Sequence, residues 1–140
     1  MSALTKIRFT AITLSTAAAL AACQHTPPAS AAETLSGRYV SEGYAQRAQG
    51  YDWVMVTVAE KSANTLNIDI SARSDIKKPS CSFSGEAVKA APNRYEVNDD
   101  GAILVFSFSG NRLNISSDSQ VALHYHCSGG GSLADTYQKL

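Results

Sequence analysis

From residue 37 to residue 139 the chain repeats one device: apolar residues at every second position, in short runs broken by turn-forming residues. A period of two is the mark of a β-strand with one face inward and one outward. Residues 65–72 show it most cleanly, with Leu66, Ile68 and Ile70 on one side and Asn67, Asp69 and Ser71 on the other. Residues 52–59 are apolar on both sides, Trp53, Met55 and Thr57 against Val54, Val56 and Val58, which predicts a strand covered on both faces. Residues 102–109 place Leu104, Phe106 and Phe108 together, and residues 120–127 do the same with Val121, Leu123, Tyr125 and Cys127. Shorter strands are expected at 37–41, 81–89, 94–97, 112–116 and 133–139. No stretch of this region carries a convincing helical period.

The connections are short. Asn98-Asp99-Asp100-Gly101 is a strong hairpin signal, because Asp-Gly tolerates the left-handed backbone such turns need, and Gly110-Asn111 is a second. Polar turns fall at 60–64, 90–93 and 117–119, and longer loops at 42–50, 73–80 and 128–132. Pro79 disfavours a central strand in the 73–80 loop. The fold class that follows is all-β: a small antiparallel meander closing into a barrel of 8–9 strands, with a two-sheet sandwich as the alternative. The two ends of the meander look alike, Gly37-Arg38-Tyr39 and Asp135-Thr136-Tyr137, and pairing them would close the barrel and remove its edges.

Composition excludes several classes. The 140 residues carry 12 Lys+Arg and 12 Asp+Glu, so no basic excess exists to neutralise phosphates, and a nucleic-acid partner is not expected. With 44% hydrophobic and 17% charged residues the chain is not disordered, and its length suits one domain.

The first 22 residues are set apart from the fold. Lys6 and Arg8 precede an apolar, small-residue run from Phe9 to Leu20, too short to read as a full membrane span. The run ends in Leu20-Ala21-Ala22-Cys23. This segment resembles the signal peptide of bacterial lipoproteins. The resemblance implies cleavage before Cys23, acylation of Cys23 with palmitate-type chains, and attachment to a membrane of the bacterial cell envelope. Gln24 rather than Asp follows the cysteine, which under the enterobacterial sorting pattern points to the outer membrane. Residues 23–35, with Pro27-Pro28, then form a tether, and residues 36–140 the barrel domain.

With Cys23 consumed by lipid, Cys81 and Cys127 remain. In an oxidising periplasm two cysteines read as one disulfide. A redox pair would favour C-x-x-C spacing, and a structural zinc site needs about four ligands.

The chain offers little that looks catalytic. It lacks G-x-S-x-G, H-E-x-x-H and a reactive free cysteine, so no enzyme activity is expected and no cofactor is implied. His124 and His126 would lie on one face of a strand, but no third ligand accompanies them, and no metal site is assigned. The 98–101 segment lacks the terminal Glu of a calcium loop. Ser128-Gly129-Gly130-Gly131-Ser132 is expected to be a flexible loop able to mould onto a partner.

The candidate partner surface is the polar, aromatic stretch of Arg38, Tyr39, Tyr44, Arg47 and Tyr51, since Tyr and Arg are favoured at interfaces. Lipidation signal, mature length, meander and late cysteine together are similar in build to the membrane-bound inhibitors of c-type lysozyme. That resemblance implies a protein partner such as a lysozyme. Ser36-Gly37-Arg38-Tyr39 is one residue short of the family's Ser-Gly-x-x-Tyr loop, and the Lys-Gly of its second loop is missing. The expectation is therefore a lipid-anchored envelope protein that binds a protein partner through its loops. The alternatives are a carrier, with Trp53, Met55, Phe106 and Phe108 lining a cavity for a small apolar ligand, and a structural or assembly lipoprotein of the envelope.

Overall fold

The computed structural model describes residues 34–75 and 77–140. The leader, Cys23 and the tether up to residue 33 lie outside the described residues. Ten strands follow in order: β1 (Gly37–Val40), β2 (Val54–Ser62), β3 (Thr65–Ala72), β4 (Ser80–Cys81), β5 (Phe83–Ala91), β6 (Arg94–Asp99), β7 (Ala102–Ser109), β8 (Arg112–Ser117), β9 (Cys127–Ser128) and β10 (Asp135–Lys139). A 3₁₀ helix (Glu42–Gln49) joins β1 to β2, and one α-helix, α1 (Gln120–Tyr125), lies between β8 and β9.

Eight of these strands close an antiparallel barrel in the order β1-β10-β8-β7-β6-β5-β3-β2. First and last strands do pair, Tyr39 opposite Lys139 and Val40 opposite Gln138. The two-residue strands β4 and β9 form a separate ribbon, which the disulfide Cys81–Cys127 crosses. The Asp-Gly hairpin forms as expected. Asp100 and Gly101 both take positive φ, 50° and 90°, and the Gly101 N–H donates to Asn98 Oδ1 at 3.0 Å.

Residues 120–127 are the main departure from the expected fold. They form α1 and the start of β9 rather than a ninth barrel strand. Topology supplies the reason. In a closed antiparallel meander whose first and last strands are antiparallel neighbours, the strand number must be even. β8 and β10 are such neighbours, Leu113 opposite Tyr137, so the segment between them must begin and end at the same end of the barrel. A single crossing strand cannot do that; a short helix with a return arm can. Ser119 provides the start, its Oγ accepting the Ala122 N–H at 3.4 Å.

The alternation dictates the core. Val56, Val58, Leu66, Ile68, Ile70, Leu104, Phe106, Leu113 and Ile115 all point inward and are buried. β2, predicted to be covered on both faces, is buried only through Val56 and Val58, while Met55 and Thr57 are part-exposed on the outside. Trp53 and Met55 are only part-buried, unlike Phe106 and Phe108 in the core, so the four do not line one cavity. The interior is instead filled by Tyr39, Phe106 and Tyr137 among the largest fully buried side chains. Each tyrosine gives its hydroxyl to the carbonyl four residues upstream, Tyr39 to Leu35 at 2.9 Å and Tyr137 to Leu133 at 2.8 Å. That satisfies a polar group that would otherwise cost free energy inside the barrel. Among the described residues the core is drawn from Tyr39 to Tyr137, and all eight barrel strands lie within residues 34–140. Thr34 and Leu35, expected at the end of the tether, hold to the barrel: Thr34 Oγ1 and the Leu35 N–H both donate to Glu60 Oε1.

Burial, and secondarily the charge of Asp135, push the Tyr137 phenol well above its ordinary pKa of 10.0. The neutral phenol is therefore favoured in the folded state. Its stabilising contribution is fully present below pH 10.0 and is lost as pH rises beyond it, because the unfolded chain then sheds the proton first. In alkaline denaturation, stability should fall above that point by up to about 1.4 kcal/mol per pH unit. Tyr137→Phe should flatten the decline, and an equally steep decline in that variant would refute the assignment.

The barrel has two unlike ends. At one end lie the two-residue turns β2–β3, β5–β6 and β7–β8, together with the point where the chain enters β1 and the end of β10. At the other end lie every longer connection: the 3₁₀ helix, the 73–79 loop, and the α1–β9 arm, with the β6–β7 hairpin between them.

Candidate functional site

The loop end is the candidate site, and it has two clusters. The first is built on the 3₁₀ helix. Ser41 clamps its start, accepting the Val54 N–H on Oγ at 2.8 Å while its own N–H donates to Val54 O at 3.0 Å. Gly50 closes its end at φ 90°, donating to Arg47 O. Within it, Tyr44 meets Trp53 edge-on with centroids 5.5 Å apart. The Arg47 guanidinium lies 4.0 Å over the Tyr44 ring and donates to the Tyr44 carbonyl at 2.8 Å. Arg73, at the end of β3, braces this cluster from below by pairing with Asp52 and donating to Gly50 O at 3.2 Å. Tyr51 stands outside it, 55% exposed.

Gly43 is the position that lets the helix lie this close. A Cβ there would sit 2.0 Å from the Asp52 carbonyl oxygen, a backbone atom that cannot rotate away. Gly43→Ala should lift the helix off residues 51–52 and cost about 1–3 kcal/mol. Trp53 is the chain's one tryptophan, so a red shift of its emission reports loss of the Tyr44 contact directly. An unchanged spectrum and stability would refute the packing.

Of the five residues expected to form a partner surface, the structure brings Tyr44 and Arg47 into contact, with Tyr51 exposed at the same end of the barrel but outside their cluster. Arg38 is exposed but lies at the opposite end, near the start of β1. Tyr39 is a core residue, 1% exposed, its ring edge-on to Phe108 at 5.7 Å. The cause is strand alternation: Arg38 and Tyr39 are successive residues of β1, so one faces out and the other in.

The second cluster is built on α1. Ala122 and Leu123 face the barrel and are buried. Val121 and Tyr125, four residues apart and so on one helix face, point outward and are 75% and 72% exposed. Between this face and the β6–β7 hairpin runs an open groove of about 230 Å³, walled by Ala102, Ala122, Val121 and Tyr125 and rimmed by Asp99 and Asp100.

The histidines do not share a face, as the strand reading had it. His124 Nδ1 donates to Gly131 O at 2.8 Å, and His126 Nε2 donates to Asp99 Oδ2 at 2.7 Å. Each is a brace. The first ties α1 to the glycine-rich segment, the second ties the disulfide arm to the hairpin. Among the described residues no group of three His, Cys, Asp or Glu is placed to hold a metal.

The 128–132 segment is a fitted connection rather than a loose loop. Gly131 N donates to Ser128 O at 3.0 Å, and a Cβ on Gly129 would come within 2.3 Å of the Lys78 backbone. The disulfide, the Gly129 contact and the Ser80–Ser128 pairing join the 73–79 loop to the α1 arm. The loop end is thus a cross-braced platform carrying exposed aromatic and aliphatic side chains.

Val121 and Tyr125 escaped sequence reasoning because the strand reading turns both inward. The available signal was Ser119 three residues ahead of the buried Ala122-Leu123 pair, an N-cap in front of helix-favouring residues. No protein-family model, curated protein or solved structure matches this chain.

Proposed function

We propose that this chain is a lipid-anchored binding protein of the bacterial cell envelope, which engages a protein partner through the loop end of its barrel. The observation that carries the reading is the segregation of the two ends. The chain from Cys23 enters at the end made of tight turns, and every longer connection gathers at the other. In this reading an anchor at Cys23, eleven residues before Thr34, connects through the tight-turn end, and the loop end carries no connection to it. That end carries Tyr44, Arg47, Tyr51, Val121 and Tyr125 on a braced frame, so little ordering entropy opposes binding. Tyrosine, arginine and exposed apolar anchors are what protein interfaces favour.

A packed interior supports binding on the outside over carriage of a small apolar ligand. A partner such as a c-type lysozyme remains the first defined bait. Tyr39, the tyrosine of the Ser-Gly motif, is buried, so any such complex would use the loop end and not that motif. The test is titration calorimetry of the 34–140 domain against lysozymes, alongside cross-linking of the anchored protein in envelopes. Tyr125→Ala and Tyr51→Ala should each weaken the complex, while Lys89→Gln at the opposite end should not. A complex insensitive to both tyrosines would overturn the assigned surface. Co-purification of a small apolar molecule, with no protein partner, would replace binding by carriage.

A further inference from the structure

The end of the barrel made of tight turns carries a charge pattern that the binding reading does not use. Six basic residues sit within two positions of a strand terminus there: Arg38, Lys61, Lys89, Arg94, Arg112 and Lys139. Glu60, Glu86 and Glu96 oppose them on the same strands. All three carboxylates are already engaged, Glu60 by Thr34 and Leu35, Glu86 with Lys61 and Glu96 with Arg94 at 2.8 Å, while Lys139 Nζ donates to Thr34 O at 2.6 Å. Arg38, Lys89 and Arg112 are exposed and make no ion pair among the described residues.

The loop end is the reverse. Carboxylates dominate it, from Glu42 and Asp52 beside the 3₁₀ helix to Asp99, Asp100, Asp118 and Asp135 around α1. Arg47 counters them, and the 73–79 loop adds Arg73, Lys77 and Lys78 against Asp75. The near-balanced charges of residues 34–140, ten basic and eleven acidic side chains, are therefore separated along the barrel axis.

We infer that the tight-turn end is a docking surface for anionic phospholipid headgroups, with Arg38, Lys89 and Arg112 as its main contacts. The position rests on the lipid-anchor reading, because Cys23 precedes Thr34 in the chain and the described chain enters β1 at this end. Two-residue turns leave the end without protruding loops, so its cations can approach headgroups closely. Basic residues near an anionic surface contribute about 1 kcal/mol each, and the attraction decays within about 10 Å at 0.1 M salt. Acyl chains alone fix the protein to the membrane but not its tilt. The basic end would supply the tilt, and the carboxylates of the loop end, repelled by the same surface, would reinforce it.

The test is partition of the unacylated 34–140 domain onto vesicles of equimolar phosphatidylglycerol and phosphatidylcholine at low salt, beside vesicles of phosphatidylcholine alone. The expected result is preference for the anionic vesicles, weakening as salt rises. Arg38→Gln, Lys89→Gln and Arg112→Gln should each reduce partition about fivefold and together on the order of a hundredfold. All three are exposed, so an unchanged thermal midpoint serves as the folding control. Asp100→Asn with Asp118→Asn, at the other end, should not reduce partition. Equal partition onto both vesicle types, or a triple variant that binds like the parent, overturns the inference. The anchor is judged separately by the mass of Cys23 in protein taken from envelopes. An acyl mass without anionic preference keeps the anchor and removes the surface; anionic preference without an acyl mass does the opposite.

Discussion

Phe106→Ala should cost the barrel about 3–5 kcal/mol, the range for removing a fully buried aromatic ring from a core that cannot collapse onto the gap. Phe106 is 0% exposed and lies mid-strand in β7, opposite Tyr95 on one side and Ile115 on the other. Its ring also packs against Phe83, centroids 6.4 Å apart. A closed barrel leaves the surrounding strands little freedom to move in, because each is hydrogen-bonded on both sides. Native stabilities of small domains are about 5–15 kcal/mol, so one ring is a large fraction of the total. Chemical denaturation of the 34–140 domain measures the loss. A change below about 1 kcal/mol would mean that the interior is loose enough to refill the space, and would reopen the case for a ligand cavity.

Removing the disulfide should be nearly as costly, through a different cause. Cys81 and Cys127 are 46 residues apart, and closing a loop of that size restricts the unfolded chain by about 4 kcal/mol in the chain-entropy account, with measured values commonly 2–4. The pair Cys81→Ala, Cys127→Ala should lower the thermal midpoint by on the order of 10–20 °C. The effect should also be local. The bond joins the 73–79 loop to the α1 arm, so amide exchange should quicken around Ser128 to Leu133 before it quickens in β6 and β7. If the midpoint falls while the arm stays protected, the glycine-rich packing and the His124 and His126 hydrogen bonds suffice to hold the platform without the bond.

The loop end and the core differ in how far they can be read from the chain. β3 is legible to the residue, since 65–72 alternates without interruption, and β7 is legible in its bounds and in the inward set of Leu104, Phe106 and Phe108, although Ile103 and Val105 make its outer face apolar too. The 3₁₀ helix is not. Its residues show no buried face, and its place is fixed by Gly43 against the Asp52 carbonyl and by Arg73 from a strand more than twenty residues later. Tyr44, Arg47 and Tyr51 could be chosen by residue type. The exclusion of Tyr39 required the register of β1 against β2 and β10, which sequence alone does not fix.

Alternation and turn chemistry in the sequence by themselves determine the all-β class, the hairpins at 98–101 and 109–112, and the inward faces of β3, β7 and β8. These are local properties: a strand's two faces and a turn's backbone angles depend on neighbouring residues. The pairing of Cys81 with Cys127 follows from arithmetic once Cys23 is assigned elsewhere. Tertiary closure alone decides the rest. Residues 120–125 satisfy either a strand or a helix locally, since Val121, Leu123 and Tyr125 alternate, while Ser119 can cap a helix by accepting the Ala122 N–H. An antiparallel barrel that pairs its first strand with its last admits only an even number of strands, and β8 with β10 already completes eight. The segment between them has to return to the end it left, so it becomes α1 and its arm, and Val121 and Tyr125 turn outward onto the surface proposed to bind.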